Sequence, residues 1–355
     1  KKSFYFYYFC NICLTTVQKK KAYLSEDVAF VNKLCCFVPN NLIVNRFLYF
    51  FILSKDFGDQ FVINTTGLIG GVSVSVLRNF NITIPNYTKQ LQITDFLDQK
   101  TNFINKLTSD KQDLIIRLKE YRQTIINEAV TKGLDKNGSM KDSGVDWIGK
   151  VPASWNIYKI RRVFDIVKRP YMLEDRPVLS ITQTGIKVKD ITKNDGQLAQ
   201  SYVGYQEVNV GDFAMNGMDL LTGNVDCSIY NGVTSPDYRV FRFKNSSKMN
   251  SDYYKYLFQQ CYSRRIFYKF GQGVSNLGRW RLQTEVFLDF NIPVPTVDNQ
   301  AKISNYINSK TNKINSIVNS IEQQIAKLQE YKKAIISEAV AGKIKIEEHI
   351  SREVI

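Results

Sequence analysis

Histidine, the side chain best suited to acid–base catalysis near neutral pH, occurs once in the chain, as His349. A Ser–His–Asp or Cys–His nucleophile system needs a base inside a folded core, and a multi-histidine metal site needs several histidines. The six cysteines are scattered, which fits a reducing cytoplasm better than a disulfide framework. Cys10 and Cys13 have half of a zinc spacing, but the adjacent pair Cys35 and Cys36 is poorly placed to complete a tetrahedron. These residues favour binding over catalysis and predict no metal site.

One glycine-containing segment imitates a nucleotide-binding loop. Gly144 to Lys150 has the spacing of a P-loop, but Val151 stands where the magnesium-binding Ser or Thr belongs, and Pro152 follows. The chain has no Asn/Asp-Pro-Pro-aromatic motif of the kind that holds a base for amino-methylation, and no complete nuclease carboxylate motif. The sequence therefore predicts neither methyl transfer nor DNA cleavage by this chain.

Positive charge is the clearest compositional signal. The 355 residues carry 48 Lys and Arg against 33 Asp and Glu, a formal net charge of +15, which favours nucleic acid as partner before a membrane surface. No apolar run reaches membrane-spanning length. Basic residues alternate with aromatic ones between residues 145 and 295, a pattern that suits phosphate clamps and base-edge contacts. The candidate DNA-binding residues are Lys168, Arg169, Asn216, Arg264, Arg265, Gln272, Asn276, Arg279 and Arg281.

The segment around Trp280 has two interpretations that the sequence leaves open. In the first, Arg279 and Arg281 approach DNA beside Asn276, from the glycine-rich stretch that begins at Gly271. In the second, Trp280 belongs to the core and the arginines simply flank it.

An internal repeat organises the chain. Residues 80–130 match residues 290–340 without a gap, with 20 of 51 positions identical, including Gln90 with Gln300. A period of 210 residues is far too long for a solenoid, so it indicates a duplicated unit of a domain and a helix.

Each copy of the repeat predicts a long helix with apolar residues at heptad spacing. Neither stretch contains Gly or Pro, and Gly133 and Gly342 are placed as C-caps. About 38 residues would give a rod of about 57 Å. The two helices either pack on their own domains or pair as a coiled coil, and the shared 3.5-residue period favours pairing. The predicted interface residues are Leu97, Ile104, Leu118, Tyr121, Ile125, Ile307, Ile314, Leu328, Tyr331 and Ile335.

The repeat also predicts the domain plan. Two copies that pair through one face are related by a pseudo-twofold axis, which makes the helices antiparallel. The fold class is α/β (α+β), with mixed strands and helices between the two long helices. The predicted segments are an atypical N-terminal segment at 1–21, a partial first domain at 22–92, a central helix at 93–138, a second domain at 139–299, a C-terminal helix at 300–345 and a tail at 346–355.

Several segments together carry a resemblance to a known family. Ser143–Trp155 resembles the opening of a target-recognition domain in the specificity subunit of type I restriction–modification systems. The paired Glu-Tyr…Ile-Ile-x-Glu-Ala-Val segments resemble the two spacer helices of that family. Later landmarks of the domain are matched at Gly211-Asp212, Asn216–Met218, Ser235–Arg239, Pro293–Pro295 and Gln300.

The resemblance implies a non-catalytic, sequence-specific DNA-binding subunit. In the family, each recognition domain reads half of a bipartite target in double-stranded DNA, and the helices act as a ruler and dock two modification subunits. Restriction subunits join for cleavage. S-adenosylmethionine, ATP and magnesium belong to these partners, so no cofactor is expected on this chain. The remaining alternative is a coiled-coil adaptor that binds protein without reading DNA.

The start of the chain departs from the family pattern. At an offset of 210 residues, the counterpart of Trp147–Trp155 would precede Lys1. The expectation from the sequence is therefore a truncated first recognition domain that retains its later half from about Ala22 onward.

Overall fold

The computed structural model describes residues 4–5, 12–15, 21–23, 30–31, 34–37, 39–65, 71–192, 199–273 and 280–346. The chain divides into two compact units. Unit 1 comprises residues 1–116 and 317–355, and unit 2 comprises residues 117–316.

Two long helices dominate the secondary structure. The first long helix is Tyr87–Lys132, of 46 residues, and the second is Val297–Val340, of 44 residues. Gly133 and Gly342 follow them with φ of 73° and 71°, the left-handed conformation that glycine adopts without a Cβ clash. The predicted caps are confirmed. The first helix begins six residues before the predicted boundary at 93, and the second begins three residues before 300.

The heptad pattern predicts two rows of apolar side chains along each long helix, where the helices pack together. The structure buries most of the first row and places the second elsewhere. Leu97, Ile104 and Ile125 are buried, as are their counterparts Ile307, Ile314 and Ile335, whereas Leu118 and Leu328 are half-buried. Tyr121 and Tyr331 were assigned to the second row, but they are 57% and 52% exposed.

The second buried row lies four residues after the first row rather than three. Its buried members include Thr101, Ile115 and Ala129 on the first helix and Thr311 and Val318 on the second. A second row three residues after the first and one four residues after it are both close to one helical turn of 3.6 residues. Apolar side chains also occur at the three-residue spacing, so the sequence pattern did not distinguish the two.

Side-chain contacts repeat the 210-residue period. In unit 1, Lys332 donates to Asn105 Oδ1 at 2.7 Å. In unit 2, Arg122 donates to Asn315 Oδ1 at 3.1 Å, and these residues lie 210 positions from Lys332 and Asn105. Lys111 also donates to Gln324 in unit 1. The residue numbers of the contacting partners therefore decrease along the second helix as they increase along the first. The helices are antiparallel, and the internal repeat is present in the fold as well as in the sequence.

A buried glutamine fixes the start of each long helix. Gln90 accepts from the Val44 N–H at 2.7 Å and donates to the carbonyl oxygens of Leu42 and Pro85. Gln300 accepts from the Asn250 N–H at 2.8 Å and donates to the Pro295 carbonyl. Each glutamine therefore ties a long helix to the start of a shorter one. Those shorter helices are Asn45–Leu53 in unit 1 and Ser251–Ser263 in unit 2.

Unit 2 is a mixed α/β domain around an aromatic core. Its four-stranded antiparallel sheet has the order Val225–Cys227, Phe213–Met215, Arg239–Phe243, Phe164–Val167. The rings of Phe164, Phe213, Phe241 and Phe258 meet between this sheet and the helix Ser251–Ser263.

The other elements of unit 2 surround this core. The other strands are Met140–Asp142, Lys150–Pro152, Asn156–Lys159, Pro170–Tyr171, Leu179–Thr182, Gly185–Val188, Tyr205–Val208, Gly232–Thr234 and Asn291–Val294. The short helices are Ile160–Val163, Ser246–Lys248, Phe267–Phe270 and Thr284–Asp289.

Unit 1 packs three short helices against its parts of the two long helices. Phe47, Phe50, Phe57 and Phe61 are buried with Leu97 and residues of the second long helix. Ile12–Thr15 pairs with Lys21–Tyr23 and with Leu34–Phe37, so the sheet crosses the predicted boundary at residue 22. The remaining elements are Phe4–Tyr5, Phe30–Val31, Lys55–Ile63 and Val74–Leu77.

Candidate nucleic-acid interface

A cleft of about 190 Å³ at one end of the four-stranded sheet gathers three cationic side chains; we call it the basic cleft. Lys168 follows the strand Phe164–Val167, and Arg239 opens the neighbouring antiparallel strand. Because Val167 lies opposite Val240, both cations emerge at the same end of the sheet. Arg281 completes the set, and Gln206 and Asp237 also line the cleft.

Arg239 is a mostly buried guanidinium that makes only neutral contacts. It donates to the Leu282 carbonyl at 2.8 Å and to Thr284 Oγ1 at 3.3 Å, and it lies 4.7 Å from the centre of the Phe287 ring. Its Nε has no hydrogen-bond partner. Burial lowers the pKa of Arg239 to about 10, and the nearby Arg281 acts in the same direction. The side chain stays protonated at neutral pH, so the cleft contains an uncompensated positive charge.

The described part of the chain offers no ion-pair partner to Lys168, Arg239 or Arg281. Elsewhere in unit 2, carboxylates pair with exposed cations, as Asp165 does with Lys244. The three cations therefore leave a positive site open to an external anion, such as a DNA phosphate.

A backbone pair joins two residues at the margin of the basic cleft. Gln272 and Arg281 exchange both N–H···O bonds at 2.9 Å, and the Gln283 amide donates to Gln272 Oε1 at 2.6 Å. Asn276 and Arg279 lie outside the described residues. Trp280 packs against the core, 4.9 Å from the Tyr268 ring centre, whereas Arg281 lines the cleft. Trp280 therefore belongs to the core, as the second interpretation has it, whereas the approach of Arg281 to DNA stays a prediction.

Arg169 has a structural partner instead of a free guanidinium. It contacts Asp212, which is 2% exposed and also accepts two hydrogen bonds from Arg242 at 3.1 Å. Arg169 lies 3.5 Å from Glu207, which pairs with Arg176 at 2.6 Å. These ion pairs connect neighbouring strands, so we assign Arg169 to the scaffold that supports Lys168.

Asn216 also serves the scaffold. Its Oδ1 accepts from the Met218 N–H at 3.1 Å, and its backbone carbonyl accepts from the Tyr262 hydroxyl at 2.7 Å. The neighbouring Gly217 carbonyl accepts from the Leu282 N–H. Asn216 thus shapes the turn that contacts the segment carrying Arg281.

Arg265 lies at a second cavity, of about 520 Å³, which we call the amide cleft. Arg265 lines it together with Arg122, Gln183 and Gln260. Arg264 donates to Asn127 Oδ1 at 2.5 Å. The structure therefore brings Lys168, Gln272 and Arg281 together at one site, places Arg265 at another, and pairs Arg264 with the first long helix.

Sequence reasoning missed Arg239 and Arg122. Arg239 ends the segment Ser235–Arg239, whose likeness to a family landmark could have drawn attention to it. Arg122 belongs to the long-helix repeat, where its match with Lys332 preserves a positive charge.

The P-loop-like segment forms a self-contained turn. The Ile148 and Gly149 amides donate to the Val145 carbonyl, and the Ser143 amide donates to the Gly149 carbonyl. These amides are therefore occupied within the turn and do not form a phosphate cradle. Within the described ranges, no three His, Cys, Asp or Glu residues come together so that they could hold a metal ion. None of the helices in the described part of the chain combines the length and hydropathy that crossing a bilayer requires.

Comparison with known proteins assigns the family. The model of the type I restriction modification DNA specificity domain matches residues 11–117 and 152–327. The chain belongs to this family. It is a type I specificity subunit, and its function involves recognition of a DNA target. The match begins at residue 11, which places part of the predicted atypical segment inside the family domain.

Individual relatives agree with this assignment. The specificity subunit is 23% identical over 341 residues to the specificity subunit of the type I restriction enzyme MjaVIII from Methanocaldococcus jannaschii, covering 92% of this chain and 75% of that protein. Its fold matches a chain from a structural study of complex assembly and conformational transition in the type I R-M system, with a TM-score of 0.70 and 12% identity over 93% of this chain and 81% of the other. The HsdS subunit of Thermoanaerobacter tengcongensis gives a TM-score of 0.53 and 13% identity, over 94% and 81%.

Proposed function

We propose that this specificity subunit reads half of a bipartite target in double-stranded DNA through the basic cleft of unit 2 and the glutamine side chains at its margin. The observation that carries the proposal is the set of three cations, Lys168, Arg239 and Arg281, without carboxylate partners at one end of a sheet. Phosphate contacts of this kind position a protein on the duplex.

Amide side chains beside the cations supply the means to read bases. Gln206 lines the basic cleft, and Gln272 and Gln283 are hydrogen-bonded to each other at its margin. A glutamine amide can donate to and accept from the edge of adenine in the major groove. The basic cleft and its margin thus combine phosphate clamps with groups that can discriminate between bases.

The long helices provide exposed apolar side chains for protein partners. In unit 1, Phe103, Ile116 and Tyr331 are 66%, 55% and 52% exposed, and in unit 2 Tyr121 is 57% exposed. Aromatic side chains such as Phe103, Tyr121 and Tyr331 are enriched in protein–protein interfaces. We assign these faces to docking of two modification subunits, with restriction subunits joining the complex in the cytoplasm. S-adenosylmethionine, ATP and magnesium would belong to these partners, and this chain would have no catalytic step of its own.

The salt dependence of duplex DNA binding separates this function from that of a protein-binding adaptor. If several phosphates are neutralised, the logarithm of the binding constant falls linearly with the logarithm of salt concentration, by about 0.9 per phosphate. We expect a steep negative slope for the full chain with duplex DNA, measured by fluorescence anisotropy. Binding that is absent at low salt, or that is independent of salt, would favour the adaptor.

A further inference from the structure

The amide cleft has a lining that differs from the rest of the surface of unit 2. Arginine and amide side chains surround it, among them Arg122, Arg265, Gln183, Asn224 and Gln260, and its lining residues include no carboxylate. Its volume of about 520 Å³ falls within the usual range of small-molecule sites, about 300–1,000 Å³.

The polar groups of this cleft are only partly satisfied by the protein. Gln260 is 2% exposed, and its Nε2 donates to Gln123 Oε1 at 2.7 Å, but its Oε1 has no hydrogen-bond partner among the residues that the structure describes. A buried acceptor without a donor costs about 1–3 kcal/mol. A ligand N–H group would supply the missing donor.

The two arginines of the cleft are likewise without acidic partners in the described residues. Arg122 donates to the neutral Asn315 side chain, and Arg265 has no ion pair. Arg265 has a φ of 56°, in the left-handed region that residues other than glycine seldom adopt. The cleft therefore combines positive charge with an unfilled hydrogen-bond acceptor.

We propose that the amide cleft binds a nucleotide whose base carries an exocyclic amino group. The phosphate would pair with Arg122 and Arg265, and the amino group would donate to Gln260. Guanidinium groups bind phosphate oxygens with strong, charge-assisted hydrogen bonds. The nucleotide could be free in solution or part of a DNA strand, since both present the same phosphate and base chemistry.

This site is separate from the one in the proposed function. The lining of the amide cleft shares no residue with that of the basic cleft. Substitutions in the amide cleft can therefore test nucleotide binding, and substitutions in the basic cleft can separately test duplex DNA binding.

The test is titration of the full chain with adenosine 5′-monophosphate, followed by isothermal titration calorimetry. We expect saturable binding with a Kd below about 1 mM. Inosine 5′-monophosphate replaces the amino group by an oxygen, and adenosine lacks the phosphate. Each should bind at least about tenfold more weakly. These comparisons use the unmodified protein, so they do not depend on the folding of any variant.

Substitutions locate the site. The double variant Arg122→Gln with Arg265→Asn removes both guanidiniums, and asparagine tolerates the left-handed backbone at residue 265. It should weaken binding of adenosine monophosphate at least about tenfold. Lys136→Gln with Lys141→Gln removes the same charge from exposed positions that do not line the cleft and serves as the matched control. Gln260→Met should abolish the preference for adenosine monophosphate over inosine monophosphate.

Competition with a short duplex identifies the source of the nucleotide. Displacement of the mononucleotide by the duplex would assign the site to a DNA nucleotide, and unchanged binding would assign it to a free nucleotide. Failure to saturate by about 10 mM adenosine monophosphate would overturn the proposal. So would equal binding by the Arg122/Arg265 variant and its control, or loss of binding when Lys168 and Arg281 are substituted instead.

Discussion

The two units share the contacts that hold a short helix to a long helix, but their surfaces differ. Each has a buried glutamine at the start of its long helix, Gln90 or Gln300. In unit 1, a cleft of about 590 Å³ beside the helix Asn45–Leu53 mixes both charges, with Asp56 and Glu330 among its lining residues. The clefts of unit 2 that contain Arg122 and Arg239 are dominated by positive charge and amides.

The buried contacts that the two units share are structural, whereas the charges of their clefts, which differ, are the ones that can face a ligand. A duplicated unit keeps the interactions without which the helix would detach from its domain, because unsatisfied buried polar groups are costly. Its surface can change charge at little cost to stability. We therefore assign DNA contact to the region of unit 2 where cations have no carboxylate partners, and we expect the charge-balanced cleft of unit 1 to contribute less.

The largest expected effect concerns DNA affinity. Lys168→Gln with Arg281→Gln should reduce the affinity for duplex DNA by about tenfold or more at moderate salt. It should also lower the magnitude of the salt slope by about 2, because two phosphate contacts are lost. Anisotropy titrations at several salt concentrations measure both quantities.

The cleft of unit 1 provides the control for this experiment. Lys55→Gln with Lys333→Gln removes the same charge from residues that line that cleft. A similar loss of affinity in both double variants would mean that net charge, rather than the basic cleft, determines DNA binding. The assignment to unit 2 would then be wrong.

The second prediction concerns the two glutamines that fix the starts of the long helices. Gln300→Ala leaves the Asn250 N–H and the Pro295 carbonyl without their partner, and Gln90→Ala does the same to Val44 and Pro85. Each loss should destabilise its own unit by about 2–4 kcal/mol. Hydrogen exchange read by mass spectrometry should show faster exchange in the short helix of the same unit.

This prediction is sensitive to how independently the two glutamines act. Gln300→Ala should change exchange in Ser251–Ser263 and leave Asn45–Leu53 unchanged, and Gln90→Ala should do the reverse. Equal acceleration of both helices in either variant would show that the two contacts stabilise one cooperative structure.

The sequence predicted the features that depend on periodicity and on the repeat. The long helices, their glycine caps and their antiparallel pairing follow from residues that recur at fixed spacing, such as Leu97, Ile104 and Ile125. The second row of the seam was misplaced because steps of three and four residues are nearly equivalent on a helix. Long-range contacts could not be read from the sequence. Arg169 resembled Lys168 until the fold placed Asp212 beside it, and Arg239 resembled any strand residue until its neighbours proved neutral.

The third prediction tests whether the unpaired Arg239 is kept for function. Replacing a buried, uncompensated charge by an apolar side chain of similar length often raises stability, here by about 1 kcal/mol. Arg239→Met should therefore raise the midpoint of urea unfolding while weakening duplex DNA binding. Arg242→Met is the comparison, because Arg242 pairs with Asp212 and its loss should destabilise the unit. Unchanged DNA affinity in Arg239→Met would restrict the basic cleft to Lys168 and Arg281.

The smallest expected effect concerns a carboxylate of unit 2 that differs from Asp212. Within the described ranges Asp226 has no arginine partner, and it accepts from the Ile186 N–H at 3.0 Å and the Cys227 N–H at 2.9 Å. Burial raises the pKa of Asp226 above its ordinary value, although the bond from Ile186 opposes the shift.

The unfolded chain, with an aspartate pKa of about 3.9, then releases this proton at lower pH than the folded chain does. Stability from this group is complete below about pH 3.9 and declines as pH rises through the folded pKa. Asp226→Asn removes that decline. The free energy of unfolding of the wild type minus that of the variant should therefore be larger at about pH 4 than at about pH 7. Urea unfolding at both values measures the difference. A difference that grows with pH would show that Asp226 is stabilised as a charged group, and a constant difference would show that folding leaves its pKa unchanged; either result would contradict the prediction.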